Sequence, residues 1–371
     1  METVPVIDMA AYLADPESEK AKTVIGEIHE AASTWGFFVL TGTPISIHKQ
    51  LSLLHSTQEF FNLPIKDKLG LDLAQGGVAW RGYMPLGGEH THGHQDWKEG
   101  LYVGPECTED HPLYGMPLHG RNQFPDESLP GMRPNIMAYV DQVTDVGKIL
   151  TDIFSESLGL DRGDLRRRWL DPEPVVLFRC FKYAPLSESA NICDPDLSVD
   201  TKEEEGFGIG EHTDFGYLTL LKVDSPGLQI LSPAEKWTDV PVIEGALVVN
   251  VGDMLDQLTK GRFCSRPHRV RRPRPGSPPR FSFPLFFDFS WNAAMEPLPL
   301  DHLPPLDEAQ EVRARNRWAK TTFRQVDGKW CQYLARKVQK VFPDLALPDF
   351  EPNAAPSTRF TRVVTTAAIP T

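Results

Sequence analysis

Cysteine is scarce in this chain: five in 371 residues, at Cys107, Cys180, Cys193, Cys264 and Cys331, with no C-x-x-C pair. An odd, scattered set excludes a disulfide framework and a zinc knuckle, and it predicts a reducing, cytoplasmic setting. Long apolar runs are missing as well. No stretch approaches the roughly 20 apolar residues that a membrane span requires. The opening METVPVIDMAAYLADPESEK lacks a basic segment followed by an apolar one, so no secretory leader is expected. Positive charge is in deficit, 38 Lys and Arg against 51 Asp and Glu, for a formal net charge of −13. Such a surface repels phosphate backbones and anionic lipid, so nucleic-acid or membrane binding would need a local basic patch. RVRRPRPGSPPR carries Arg269, Arg271, Arg272, Arg274 and Arg280, but a solvated, Pro-kinked hairpin loop accounts for it more simply. DTKEEEG reads as a solvated loop in the same way. Internal repeats and low-complexity tracts are also absent.

What is present is apolar content, 40% of residues, enough for a large core. VPVID is a short strand candidate. In EKAKTVIGEIHEAASTWGFFVL, residues Val24, Ile25, Ile28, Ala31, Ala32 and Trp35 recur at helical spacing, after which WGFFVL reads as a strand. A second helix is predicted over RPNIMAYVDQVTDVGKILTDIFSESLG, with Ile136, Val140, Val143, Gly147, Leu150 and Phe154 on one stripe. After about residue 174 the texture changes to short Val-, Leu-, Phe- and Tyr-rich runs separated by Gly, Pro, Asp and Ser. PVVLFRCFKYAP, YLTLLKV, LQIL, ALVVNVGDML, HRVRR and RFSFPLFFDF predict a β sandwich or barrel. GKWCQYLARKVQKVF returns to helical spacing. The expected organisation is one unit over 1–371. It divides into a mostly helical part with entrance loops (1–172), a β core (173–295) and a helical segment with a tail (296–371).

GFGIG imitates a dinucleotide loop, but it follows a charged loop and precedes a β-like run. A phosphate site would need a helix N-terminus there.

Two clusters compete for a metal. GGEHTHGHQDWKE sets His90, His92 and His94 at alternate positions with Asp96 next. These are read as a lid, substrate-facing or polar loop, with a second metal site as the minority alternative. GEHTDFGYLTLL is quieter. In an extended strand His212 and Asp214 share a face, about 6–7 Å apart along the chain, and Thr213 points away. His268 in SRPHRV follows 56 positions downstream, at the start of another β-like run. Two imidazoles and a carboxylate on one face of an octahedral metal leave three adjacent positions open, as non-haem Fe(II) oxygenases require. In RFSF, Arg280 and Ser282 again share a strand face, and an Arg fork beside a hydroxyl suits a carboxylate. Open metal positions with a carboxylate clamp nearby point to a keto-acid co-substrate.

The ordered set VPVID, WGFFVLTGTPI, EFFNLPIKDKL, RGYMPLGGE, DWKEGLYVG, PLHGRNQFPD, LFRCFKYAP, GEHTDFGYLTLL, GLQIL, VVNVGDML, PHRV and RFSFPLFF resembles the Fe(II)- and 2-oxoglutarate-dependent dioxygenases. The resemblance is to the branch of isopenicillin N synthase, flavonoid oxygenases, gibberellin oxidases and ACC oxidase, and it covers most of the chain. It implies a mixed α and β fold with a mainly β core, a double-stranded β-helix (jelly roll) wrapped by N-terminal helices and a C-terminal helix. It implies Fe(II) on His212, Asp214 and His268, and the distal carboxylate of 2-oxoglutarate on Arg280 and Ser282 with a contact from Tyr183. Phe286 and Tyr83 are expected near the substrate. Lys182, Arg121 and the long segment before H-x-D depart from the family pattern and are expected to border the pocket mouth.

The activity implied is oxidation of a C–H bond of a small metabolite with 2-oxoglutarate and O2, releasing succinate and CO2. No nucleic acid, membrane or obligate protein partner is expected. Two alternatives stand beside it: a same-fold Fe(II) oxidase that uses no 2-oxoglutarate, and a non-catalytic, cupin-like metal-binding protein.

Overall fold

A computed structural model of the chain describes residues 2–91, 94–185, 207–321 and 326–341. The first helices follow the predicted stripes. α1 (Ala10–Ala14) leads into α2 (Glu19–Thr34), which starts where the Ser18 hydroxyl accepts the Ala21 N–H at 3.1 Å and buries Ala21, Val24, Ile28, Ala31 and Ala32. α3 (Ile47–Phe61) starts the same way at Ser46, and the short α4 (Ile65–Leu69) follows it. α5 (Met132–Ser157) buries the whole predicted stripe from Ile136 to Phe154 and packs on α2 and α3. α6 (Asp164–Trp169) follows, and α7 (Asp253–Leu258) interrupts the β region after residue 251, where a continuous β-like run is predicted. α8 (Glu308–Trp318) and α9 (Trp330–Val341) come last among the described residues.

The β core is two sheets. The larger runs, in spatial order, β1 (Val6–Asp8), β2 (Phe37–Thr41), β12 (Leu247–Val251), β9 (Leu218–Val223), β14 (Arg280–Asp288), β7 (Val175–Tyr183), β6 (Glu99–Val103) and β3 (Gly82–Met84). The smaller runs β11 (Trp237–Asp239), β10 (Leu228–Leu231), β13 (His268–Arg271) and β8 (Phe207–His212). A separate two-stranded ribbon joins β4 (His90–Thr91) to β5 (His94–Gln95). All pairings between these strands but β1 with β2 are antiparallel, and strands far apart in sequence are neighbours, as in a jelly roll. Residues before 173 therefore supply four strands to the larger sheet in addition to their helices.

α5 lies across β14 and β9, and Gly147 is what lets it approach. A Cβ built at Gly147 would stand 2.7 Å from the buried Phe287 ring. Gly147→Ala is expected to cost about 1–2 kcal/mol, overpacking outweighing the helix-propensity gain, read as a lower denaturant midpoint. At the other end, Asp256 of α7 ties down α8. It accepts from Arg317 Nε at 2.7 Å and Nη2 at 3.0 Å, and from Trp318 Nε1 at 2.9 Å.

RVRRPRPGSPPR is not a hairpin loop. It crosses from β13 in one sheet to β14 in the other, and two of its arginines are held in place. The Arg269 guanidinium lies 4.0 Å from the Trp237 ring centroid, and Arg280 is 2% exposed. Among the described residues no helix is long and apolar enough to cross a membrane.

Candidate active site

A cavity of about 460 Å³ opens between the sheets, lined by β7, β9, β12 and β14 on one side and by β8, β10 and β13 on the other. Strand alternation decides what faces it. Leu177, Arg179, Phe181 and Tyr183 of β7 line it at every second position, as do Arg280, Ser282, Pro284, Phe286 and Asp288 of β14. The β14 ladder to β7 skips Phe283 and Pro284, the latter having no N–H to give.

His212 closes β8 and His268 opens β13, and the two are direct cross-strand partners. Asp214 lies two residues past the end of β8. Its Oδ1 stands 4.0 Å from His212 Nε2 and 3.8 Å from His268 Nε2, and one ligand atom from each residue falls within 4.8 Å of the others. Each atom is spare because the rest of its group is occupied. The Nδ1 of His212 meets the Gly210 carbonyl at 2.8 Å, and that of His268 meets the Arg266 carbonyl at 3.4 Å. Asp214 Oδ2 accepts from Thr219 Oγ1 at 2.5 Å and from Asn250 Nδ2 at 2.8 Å. A histidine fixed through Nδ1 presents Nε2, the arrangement metal-binding histidines use.

The electrostatics agree. Burial, with the facing His268 ring, pushes His212 down to about 3, so it is neutral. Burial alone would raise Asp214, but the two imidazoles with the Thr219 and Asn250 hydrogen bonds outweigh it and hold the carboxyl below its usual range. A neutral His212 and an ionised Asp214 are the protonation states a divalent metal needs of them. Thr213, expected to point away, also borders the cavity, and its hydroxyl donates to Asp253 Oδ2 at 3.0 Å.

Arg280 faces Tyr183 across the β14–β7 ladder. Its Nε donates to the Ser225 carbonyl at 3.2 Å, while Nη1 and Nη2 are buried with no hydrogen-bond partner among the described residues. The Ser282 hydroxyl lies 3.4 Å from the Tyr183 hydroxyl, and burial pushes the Tyr183 phenol up, so it stays protonated. A buried guanidinium presenting two nitrogens beside two hydroxyls has the donor set a carboxylate requires.

Phe286 lines the cavity, as expected, whereas Tyr83 does not join it. The Tyr83 hydroxyl donates to Glu99 Oε2 at 2.7 Å, in a cluster where Lys68 and Lys182 also meet Glu99, at 2.9 and 3.2 Å. That pairing also explains Lys182, which turns to Glu99 and not to the pocket mouth. Arg121 pairs with exposed Glu109 at 3.1 Å. Residues 186–206 lie outside the described residues, as do His92 and the side chains of His90 and His94. Asp96, the fourth member of that run, is 3% exposed and accepts from Lys98 Nζ at 2.5 Å.

Thr219, Asn250, Arg179, Glu89 and Lys98 were not singled out from the sequence. A signal existed for two of them. Asn250 is a lone amide in an apolar strand, and Arg179 has the same parity as Tyr183 along β7.

Comparison with known proteins gives two family matches. Residues 4–127 match the non-haem dioxygenase in morphine synthesis N-terminal family, and residues 183–288 match the 2OG-Fe(II) oxygenase superfamily. A probable iron/ascorbate oxidoreductase of Dictyostelium discoideum is 38% identical over 93% of this chain and 96% of its own length. A 1-aminocyclopropane-1-carboxylate oxidase of Dictyostelium mucoroides is 30% identical over 93% and 96%. A full-length Neurospora crassa protein, solved as a crystal structure in complex with alpha-KG and 5-formyluracil, is 25% identical. Its TM-score is 0.68, covering 91% of this chain and 95% of that one.

Proposed function

Because the chain belongs to the Fe(II)- and 2-oxoglutarate-dependent oxygenase superfamily, we propose that His212, Asp214 and His268 hold its iron and that Arg280, Ser282 and Tyr183 grip the distal carboxylate of 2-oxoglutarate. It is an oxidoreductase whose cofactors are Fe(II), 2-oxoglutarate and O2. Bound iron, with the keto acid and dioxygen, supplies the oxidising power for attack on a C–H bond, with release of succinate and CO2. The chain's own part is placement. Two imidazoles on facing strands and one carboxylate fix the metal, Thr219 and Asn250 fix the carboxylate, and apolar walls keep water from the reacting centre. The observation that carries this reading is the set of three spare ligand atoms within 4.8 Å of one another.

The substrate is a small metabolite. A cavity of about 460 Å³ suits a keto acid with a second small molecule, not a polymer. Hydroxylation is the default outcome, with desaturation or ring closure set by where the substrate radical lies. Neither nucleic acid, membrane nor an obligate protein partner enters this proposal. Cys107, Cys180 and Cys264, buried thiols outside any disulfide, support a reducing, cytoplasmic setting.

Anaerobically purified protein given Fe(II), 2-oxoglutarate, oxygen and a metabolite panel should form one succinate per substrate oxidised. Substrate turnover without succinate would instead place it with oxidases that bind the substrate's own carboxylate at Arg280, the reading that likeness to a 1-aminocyclopropane-1-carboxylate oxidase favours. Asn250→Ala is expected to weaken Fe(II) binding about 10–100-fold, read by anaerobic metal titration.

A further inference from the structure

The cavity wall carries a second set of charges that the iron and keto-acid sites do not use. The Arg179 side chain is 13% exposed and makes no hydrogen bond among the described residues, its Nε being buried. Its guanidinium is held by rings instead, 4.4 Å from the Tyr102 centroid, 4.9 Å from Phe286 and 5.1 Å from Trp80. Glu89 Oε1 stands 3.6 Å from Arg179 Nη1, too far for a hydrogen bond. Glu89 is fixed from behind by Lys98, whose Nζ lies 2.9 Å from Oε2 and 2.5 Å from Asp96 Oδ2. Trp80 adds two signs of function. Its backbone is left-handed, φ 55 and ψ 52, unusual for so bulky a residue, and its indole N–H is buried without a partner among the described residues.

We propose that Arg179 and Glu89 are the specificity-determining pair of this enzyme and that they read the edge of a cyclic amide or imide. This deepens the functional reading above and rests on it. An adjacent donor and acceptor, ion-paired at 3.6 Å but not hydrogen-bonded to each other, match the adjacent carbonyl and N–H of a ring amide. Arg179 donates to the ring carbonyl, and the Glu89 carboxylate accepts the ring N–H. Phe286 and Trp80 supply apolar surface for the flat ring. Charge decides against a carboxylate ligand. Arg179 and Lys98 are already balanced by Glu89 and Asp96, so an added anion would sit uncompensated beside two carboxylates. A hydrocarbon would leave Arg179 unsatisfied in a desolvated wall.

The test uses full-length protein loaded with 2-oxoglutarate and Mn(II), titrated calorimetrically with 2-pyridone, uracil and succinimide against benzoate and benzyl alcohol. At least one of the three amides should bind more tightly than benzoate and benzyl alcohol. Arg179→Met and Glu89→Gln should each weaken that binding roughly 10–100-fold, the value of a charge-assisted hydrogen bond. Arg179→Lys, which keeps the charge but loses the fork, should weaken it too. A parallel 2-oxoglutarate titration of each sample reports folding and answers to Arg280. Tighter binding of benzoate, no binding of any amide, or amide affinity unchanged in the folded variants would overturn the proposal. Failure of wild-type protein to bind 2-oxoglutarate would sink the underlying reading instead.

Discussion

Asp214→Ala is expected to reduce succinate formation to background, a loss of at least about 10³-fold. Outer-shell partners of a metal site already cost 10–100-fold when removed, and this substitution removes an anionic ligand itself. Two imidazoles would remain, His212 at the end of one strand and His268 at the start of its neighbour. The Thr219 hydroxyl and the Asn250 amide would lose the carboxylate oxygen they now share. Adding Fe(II) in excess should recover only part of the activity, since two imidazoles without the anionic ligand bind metal weakly and leave its geometry unset. The assay is succinate formed per enzyme, at matched iron loading, alongside circular dichroism to establish that the variant folds. Retention of more than a tenth of the activity would mean that the carboxylate is not a ligand.

Arg280→Met should raise the KM for 2-oxoglutarate about 30–1000-fold, while kcat at saturation changes far less. Methionine fills a similar volume, so the expected loss is that of a buried, hydrogen-bonded charge pair, about 2–4 kcal/mol. The effect should fall mainly on KM because the distal carboxylate is held alike in ground and transition states. Arg280→Lys should recover part of the affinity. A point charge can replace the Coulomb attraction but not the two-nitrogen fork that now lies unspent. Initial rates against 2-oxoglutarate concentration decide the matter, and a KM within threefold of wild type would remove Arg280 from the site.

Much of this site was legible because strand periodicity is a local property. Arg280 with Ser282, both on β14, share a face whatever the rest of the chain does. The lateral pairing of strands was not legible. That His268 stands directly across from His212, and Arg280 across from Tyr183, depends on ladders whose partners lie 56 and 97 residues apart. The pair logic also failed locally. β8 ends at His212, so Thr213 and Asp214 belong to the irregular segment that follows, and both border the cavity. Tyr83 was misplaced because an aromatic in a short motif carries no information about which face of β3 it takes. Glu99 and its two lysine partners draw its hydroxyl away. The charged corner at Glu89, Lys98 and Arg179 was not legible as a unit, although the parity of Arg179 along β7 pointed inward. Its members come from two separate stretches of chain, and Glu89 and Lys98 each read as an ordinary surface residue. Helices α2 and α5 were clear from their stripes, yet β3 and β6 were too short and too mixed to stand out before the sheet assembled them.

The most direct test is anomalous diffraction at the iron edge from crystals grown anaerobically with Fe(II) and 2-oxoglutarate. One strong peak should lie within bonding distance of His212 Nε2, Asp214 Oδ1 and His268 Nε2, with a carboxylate of the keto acid on the free edge of Arg280. A peak on the His90–Asp96 ribbon with none between the three residues, or a keto acid bound away from Arg280, would contradict it.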